Sequence, residues 1–311
     1  MSVQQAHLKG VFTIVLASLL WGTTGIASSM IPDVSPFAIG AFATGFGGLL
    51  LVLSNMRQLK TDIHLLKKQL GLMVVGALTV ALYPLAFYTS MRWSGVAIGT
   101  IVSIATAPLF AAVIERLIGQ KLVSVKWLIS FALGAIGIVL MTIGRDFSNS
   151  EDHDAVLDTL GIFLGCIAGL SYACYAWIAR RLIESGVHSN SAMSGLFGLS
   201  ALMLLPSLWF TGDNLFSSVE HGSVALYLAC IPMFLGYLLF AYGLRFIETS
   251  HATLLTLIEP LVATLLAVIL LGEHFKNIGW LGAILVSICL LIQSMPTQQK
   301  RGISARYQNE F

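Results

Sequence analysis

Glu259 is the residue of this 311-residue chain whose chemistry most needs a reason. It stands nine positions into the apolar run 250–271, and no other charged side chain lies so deep in such a run. At ~1.5 Å per residue, a helix over that run carries it ~14 Å in, near the centre of a bilayer. An ionised carboxylate there costs about 3 kcal/mol or more. It must then be protonated, paired, or turned to a wet cavity. A carboxyl that gains and loses a proton at that depth is a proton or cation site. The structural alternative is an acid that hydrogen-bonds a neighbouring helix where Pro260 leaves a carbonyl unpaired. Both readings stand on the sequence alone.

Five aromatic residues, Trp21, Tyr83, Tyr172, Tyr175 and Tyr237, fall at similar depth in their own apolar runs. Tryptophan and tyrosine prefer membrane interfaces, so at mid-depth their polar ends need an inward partner. As a set they suit a substrate-binding wall that stacks on an apolar or aromatic ligand; ordinary packing explains any one of them. Pro108 and Pro260 stand mid-run at corresponding places. Each removes a backbone hydrogen bond and bends a helix, which suits gating or cavity shaping, although packing also tolerates them. No catalytic set stands out, because the seven histidines do not cluster. His251, near a run end, reads as a solvated interfacial histidine. Cys166, Cys174, Cys230 and Cys289 lie inside apolar runs without metal-ligand spacing and read as small core residues. No Gly-x-x-x-x-Gly-Lys-Ser/Thr occurs to cradle a nucleotide phosphate. The expectation is therefore no metal, no cofactor, no nucleic acid and no enzyme.

The elements that must position these residues are membrane helices. Charged residues are 10% of the chain, against about 25% in a soluble domain. The apolar set is 57% and the mean hydropathy +0.86. A soluble fold of this size cannot hide that much apolar surface, which excludes a soluble enzyme, a nucleic-acid binder and a disordered scaffold. Runs of the ~17–25 residues that cross a bilayer number ten: 10–30, 35–54, 70–91, 97–118, 125–144, 159–180, 192–211, 223–244, 250–271 and 278–295. With the N-terminus cytoplasmic, 14 of the 17 Lys and Arg fall on the inner side, leaving Arg92, Arg145 and Lys276 outside. That bias is the positive-inside rule. Acids gather in the outer linker 145–158, at Asp146, Glu151, Asp152, Asp154 and Asp158. Both termini are thus expected inside, with 296–311 a cytoplasmic tail. In 55–69, Leu59, Ile63, Leu66 and Leu70 recur at helical spacing among lysines, which suits either an amphipathic helix on the inner leaflet or a solvated basic loop. Span 4 carries Gly95, Gly99, Ser103, Ala107 and Ala111 four apart, and span 6 carries Gly161, Gly165, Gly169 and Ala173; such stripes bring helix backbones close together.

The two halves resemble each other at an offset of about 152 residues, in the all-α manner of an inverted repeat. Leu85, Phe87 and Arg92 align with Leu238, Phe240 and Arg245, Trp127-Leu128 with Trp280-Leu281, and Gly119 with Gly272. Five spans in each half put the second half into the membrane the other way round. Such repeats are a mark of secondary transporters, which build a midplane site at the repeat interface. Leu20-Trp21-Gly22-Thr23-Thr24-Gly25, Leu170-Ser171-Tyr172-Ala173, Ile258-Glu259-Pro260-Leu261 and Leu271-Gly272-Glu273 further resemble the EamA-type drug/metabolite transporter superfamily over residues 10–295. The resemblance implies two EamA-like five-helix repeats, 10–144 and 159–295, and export of small metabolites or drugs across a bacterial inner (plasma) membrane. The chain departs from the family's pattern at Ala43, where many members have Arg, and at Gly119-Gln120, where the second half has Gly272-Glu273. Since the deep charge is acidic, zwitterionic or cationic substrates such as amino acids, amines or drug-like molecules are expected, with proton exchange the coupling such an acid supports. The alternatives are an uncoupled facilitator of small apolar or aromatic metabolites, with Glu259 structural, and, remotely, a membrane enzyme. Substrate identity and oligomeric state are not readable from these residues.

Overall fold

The computed structural model describes residues 3–94, 96–119, 123–144, 155–271 and 276–295. Among these residues the regular structure is all helical. In chain order it comprises α1 (Val3–Gly22), α2 (Thr24–Ser29), α3 (Pro36–Ser54), α4 (Met56–Lys68), α5 (Leu70–Ser94), α6 (Val96–Leu117) and α7 (Val125–Ile143). There follow α8 (Ala155–Glu184), α9 (Ser189–Thr211), α10 (Val219–Leu228), a π-helical segment (Ala229–Leu235), α11 (Gly236–Gly243), α12 (Thr249–Leu255), α13 (Ile258–Leu271) and α14 (Asn277–Ser294). The expected linker lies outside the described residues up to 154, and α8 takes in its remainder. The expected tail 296–311 and the Gly272-Glu273 pair also lie outside them, as does Gly95.

Among the described residues, nine helical stretches are long and apolar enough to cross a membrane. Six are the single helices α3, α5, α7, α8, α9 and α14, and three run through breaks: α1 with α2, α10 through α11, and α12 with α13. The expected fourth span falls on α6, which is not among the nine and packs against α5, α8 and α12. Many of the large apolar side chains face outward, among them Leu82, Leu128, Phe163, Ile269 and Leu291, an arrangement that suits lipid as the solvent. Some buried hydroxyls turn back onto their own helices, as Ser18 donates to Ile14 O (2.8 Å) and Ser103 to Gly99 O (2.7 Å), so burial leaves neither unpaired.

The core forms where small residues let the helices close. α8 packs on both α5 and α6, and α3 packs on α9, α7 on α14, and α1 on α11. The glycine stripe of α8 lies in these contacts. A Cβ built at Gly165 would come within 2.9 Å of Ser90 Oγ, and one at Gly169 within 2.8 Å of Ser103 O. The basic stretch after α3 is helical, as α4, with Asp62 and Leu66 on its buried face. Asp62 Oδ2 accepts from the backbone N–H of His188 (3.1 Å) and Asn190 Nδ2 donates to Asn55 Oδ1 (3.0 Å), which fastens α4 to the start of α9. The short connection from α11 to α12 is held by Arg180, whose guanidinium donates to Leu244 O at 2.9 Å and to Ile247 O. At the opposite end of the bundle, His221 pairs with Asp33 across 3.7 Å, joining the loop before α3 to α10.

Candidate functional site: a carboxylate in an aromatic cavity

The apolar run around Glu259 is not one helix. α12 ends at Leu255, Thr256 and Leu257 form a turn, and α13 begins at Ile258. Glu259 is therefore the second residue of a helix, where free N–H groups and the helix dipole favour negative charge. Its own backbone N–H donates to Thr256 O (2.9 Å). Pro260 follows in the same first turn, where its missing N–H breaks no helical bond. The bend expected at Pro260 is thus a helix start, whereas Pro108 stays inside the continuous α6. The expected equivalence of the two prolines does not extend to their backbone settings, and neither is among the residues lining the cavity.

Two more breaks lie at the same place. α1 stops at Gly22 and resumes as α2 at Thr24, and the helix after α10 widens into the π-helical segment containing Pro232. Trp21 joins them, its indole Nε1–H donating to Pro232 O at 2.9 Å. Gly236 lets that indole in, since a Cβ there would stand 2.7 Å from Trp21 Nε1. Irregular backbone at membrane depth is tolerated where it lines a cavity or is buried in protein.

The breaks surround a cavity of about 60 Å³. At about 10–15 Å³ per water, it holds roughly four or five waters in this conformation. Glu259, Trp21, Tyr83, Tyr172, Tyr175 and Tyr237 all line it, from α13, α1, α5, α8 and α11. Their rings form one continuous cluster: Trp21 to Tyr237 at 4.9 Å between centroids, Tyr172 to Tyr175 at 5.3 Å, and Tyr83 to Tyr172 at 5.8 Å. Tyr175 and Tyr237 share a hydroxyl hydrogen bond of 2.9 Å, and Tyr172 donates to Thr256 Oγ1 at 3.3 Å, tying α8 to the turn before Glu259. Among the described residues no Lys or Arg lines the cavity, and the hydroxyl of Thr24, also in the wall, is buried without a partner.

Sequence reasoning missed part of this wall. Phe87 and Tyr88 continue the stack from Tyr83, with centroids 5.5 Å and then 5.4 Å apart. Phe197 of α9 sits 4.2 Å from Tyr237, and Pro84, Thr44 and Met233 complete further sides. The spacing of Tyr83 and Phe87, four apart on one helix, was the available signal. Ala43, at the family's arginine position, is buried among Phe42, Ile39 and other apolar side chains and is not in the cavity wall. The site therefore offers one carboxyl group among π-faces and hydroxyls, a setting that, with the carboxyl ionised, attracts cations through charge and ring quadrupole together.

The sequence profile described as the EamA-like transporter family matches residues 8–143 and again residues 159–295. The uncharacterized transporter YwfM of Bacillus subtilis is 30% identical over 295 residues, which cover 94% of this chain and 96% of that one. The uncharacterized inner membrane transporter YicL of Salmonella typhimurium is 27% identical over 305 residues, 94% of this chain and 97% of the relative. A crystal structure at 17% identity superposes with a TM-score of 0.76, covering 94% of this chain and 96% of the other, a likeness of fold alone.

Proposed function

This chain belongs to the EamA-like transporter family and is a multi-pass transporter of the inner (plasma) membrane, and from that premise we propose that it exports small zwitterionic or cationic metabolites by alternating access, in exchange for protons. Amines, amino acids and drug-like cations are the substrate classes. Glu259 binds either a proton or the positive group of the substrate, and the rings of Trp21, Tyr83, Tyr172, Tyr175 and Tyr237 hold its apolar body. The observation that carries this reading is the cavity itself, with one carboxylate, an aromatic wall and no cationic side chain lining it. A phosphorylated substrate would want a basic partner there.

We read the architecture as ten spans in two inverted five-helix repeats, with both termini cytoplasmic. Packing supports this. Exchanging the halves carries the α3–α9 and α7–α14 contacts onto themselves, α5–α8 onto α11–α1, and α6–α8 onto α13–α1. Such a pattern is what a two-fold relation between repeats requires, and alternating access rocks one repeat against the other around a fixed site. Pro108 and Pro260 act here as shape-setting residues, one within a span and one opening the helix that carries Glu259.

The test is flux of labelled amines and amino acids in liposomes with and without an imposed pH gradient, comparing wild type with Glu259→Gln. The expected result is accumulation driven by the gradient in wild type and its loss in the variant. Gradient-driven transport unchanged in Glu259→Gln overturns the coupling. Downhill flux in both proteins that ignores the gradient favours the uncoupled facilitator, for which the aromatic wall alone suffices.

A further inference from the structure

The exposed half of α4 has no role in the transport cycle described above, and its side chains are sorted by chemistry. At about 100° per residue, Met56 and Ile63 fall within about 20° of each other, Lys67 and Lys60 occupy about the next 40°, and His64, Arg57 and Lys68 follow. All seven are exposed, Met56 by 40% and Ile63 by 45%. Exposed Leu53 and Leu70 flank the helix at its two ends. The acid of α4, Asp62, is on the opposite, buried face and is occupied by the His188 N–H and by Gln58. Four permanent positive charges therefore share the exposed arc with no carboxylate. Arg57 and Lys60 lie near the helix start, where the dipole repels cations, so the helix itself gives them no reason to be there.

An apolar edge grading into lysines is the pattern of a helix lying in a membrane interface. We infer that α4 is a binding element for anionic phospholipid: Lys60, Lys67, Arg57 and Lys68 engage phosphate headgroups while Met56 and Ile63 enter the acyl layer. Charge complementarity selects the lipid, because zwitterionic headgroups offer no net negative charge to four cations, and each Lys or Arg near an anionic surface gains about fivefold in binding. The contacts of Asp62 and Asn55 pass the position of α4 to the start of α9. α9 carries Phe197 of the cavity wall, so an anionic leaflet braces the helix that flanks the substrate site.

The experiment is hydrogen exchange of the 56–68 amides in the full chain, reconstituted in phosphatidylcholine vesicles and in 3:1 phosphatidylcholine–phosphatidylglycerol vesicles. Exchange should be slower in the anionic vesicles, with Lys60 and Lys67 each contributing up to about fivefold. The difference should shrink in Lys60→Gln/Lys67→Gln, to the part Arg57 and Lys68 still supply, and shrink as salt rises, while exchange in α7 and α14 stays the same and reports that the fold is intact. Equal exchange in the two vesicle types overturns the inference. So does a difference left undiminished by the double substitution and by high salt, or equal protection produced by inorganic phosphate in neutral vesicles.

Discussion

The hydroxyls around Glu259 divide into two kinds, and the division assigns them different work. Those of Tyr175 and Tyr237 satisfy each other at 2.9 Å, deep in the core cluster. Tyr237→Phe leaves the Tyr175 hydroxyl without that partner, and unfolding stability in detergent should fall by about 1–3 kcal/mol, read as a lower Tm. Tyr83 belongs to the other kind, because its hydroxyl makes no hydrogen bond among the described residues and its ring lines the cavity. Tyr83→Phe should leave unfolding stability within about 0.5 kcal/mol of wild type, read as a nearly unchanged Tm, as expected when no hydrogen bond is lost. The residues of this site were legible in the sequence by depth. Counting along apolar runs places Trp21, Tyr83, Tyr172, Tyr175, Tyr237 and Glu259 at one level, and all six meet at the cavity. Direction around the helix was not legible. A run that is apolar on all sides has no periodic polar face to point the way, so Phe197, Met233 and Tyr88 gave no sign of which way they turn.

At the scale of elements, the breaks were hidden for a related reason. Thr23, the π-helical segment Ala229–Leu235 and the Thr256-Leu257 turn all lie within stretches whose mean hydropathy stays high enough to span a membrane, so each run reads as one span. Backbone that leaves the regular ladder inside a membrane is explained by the cavity it lines, which is a tertiary fact. The small-residue stripes were legible, since four-residue spacing is local. Gly169 shows what they do: a side chain there meets Ser103 O and the neighbouring Ala107 backbone on α6. Gly169→Val should cost about 1–3 kcal/mol by forcing α8 and α6 apart, measurable as a lowered Tm with α4 exchange unchanged. The start of α9 carries a pH dependence. His188 Nδ1 accepts from Asn190 N (3.3 Å), which needs a neutral ring. Burial, aided by Arg245 and opposed by Asp62, lowers the His188 pKa below its ordinary 6.5. The unfolded chain then takes up the proton first, so the stability His188 contributes is present above pH 6.5 and is lost as pH falls below it toward the folded value. Protection of the α9 N-terminal amides, taken relative to the intrinsic exchange rate at each pH, should fall between pH 7.5 and 5.5, and His188→Asn, which keeps a cap acceptor that does not titrate, should remove the change.

For the whole molecule, the charge distribution and the repeat say more than the charge total. A net charge of +2 is uninformative, whereas on the proposed ten-span reading 14 of the 17 basic residues fall on one side and Glu259 stands alone in the middle. Internal repetition was legible because it survives as shared order and offset, even though individual matches are weak. Packing is consistent with the proposed repeat, since α8 meets α5 and α6 while α1 meets α11 and α13. The central claim is that proton and substrate compete for one carboxylate in one cavity. The most direct measurement is calorimetry of amine binding in two buffers of different ionisation enthalpy, which counts protons released as the ligand binds. Release of protons by wild type, absent in Glu259→Gln together with most of the affinity, is the predicted result. Binding with no proton released, and equally tight in Glu259→Gln, would contradict the account.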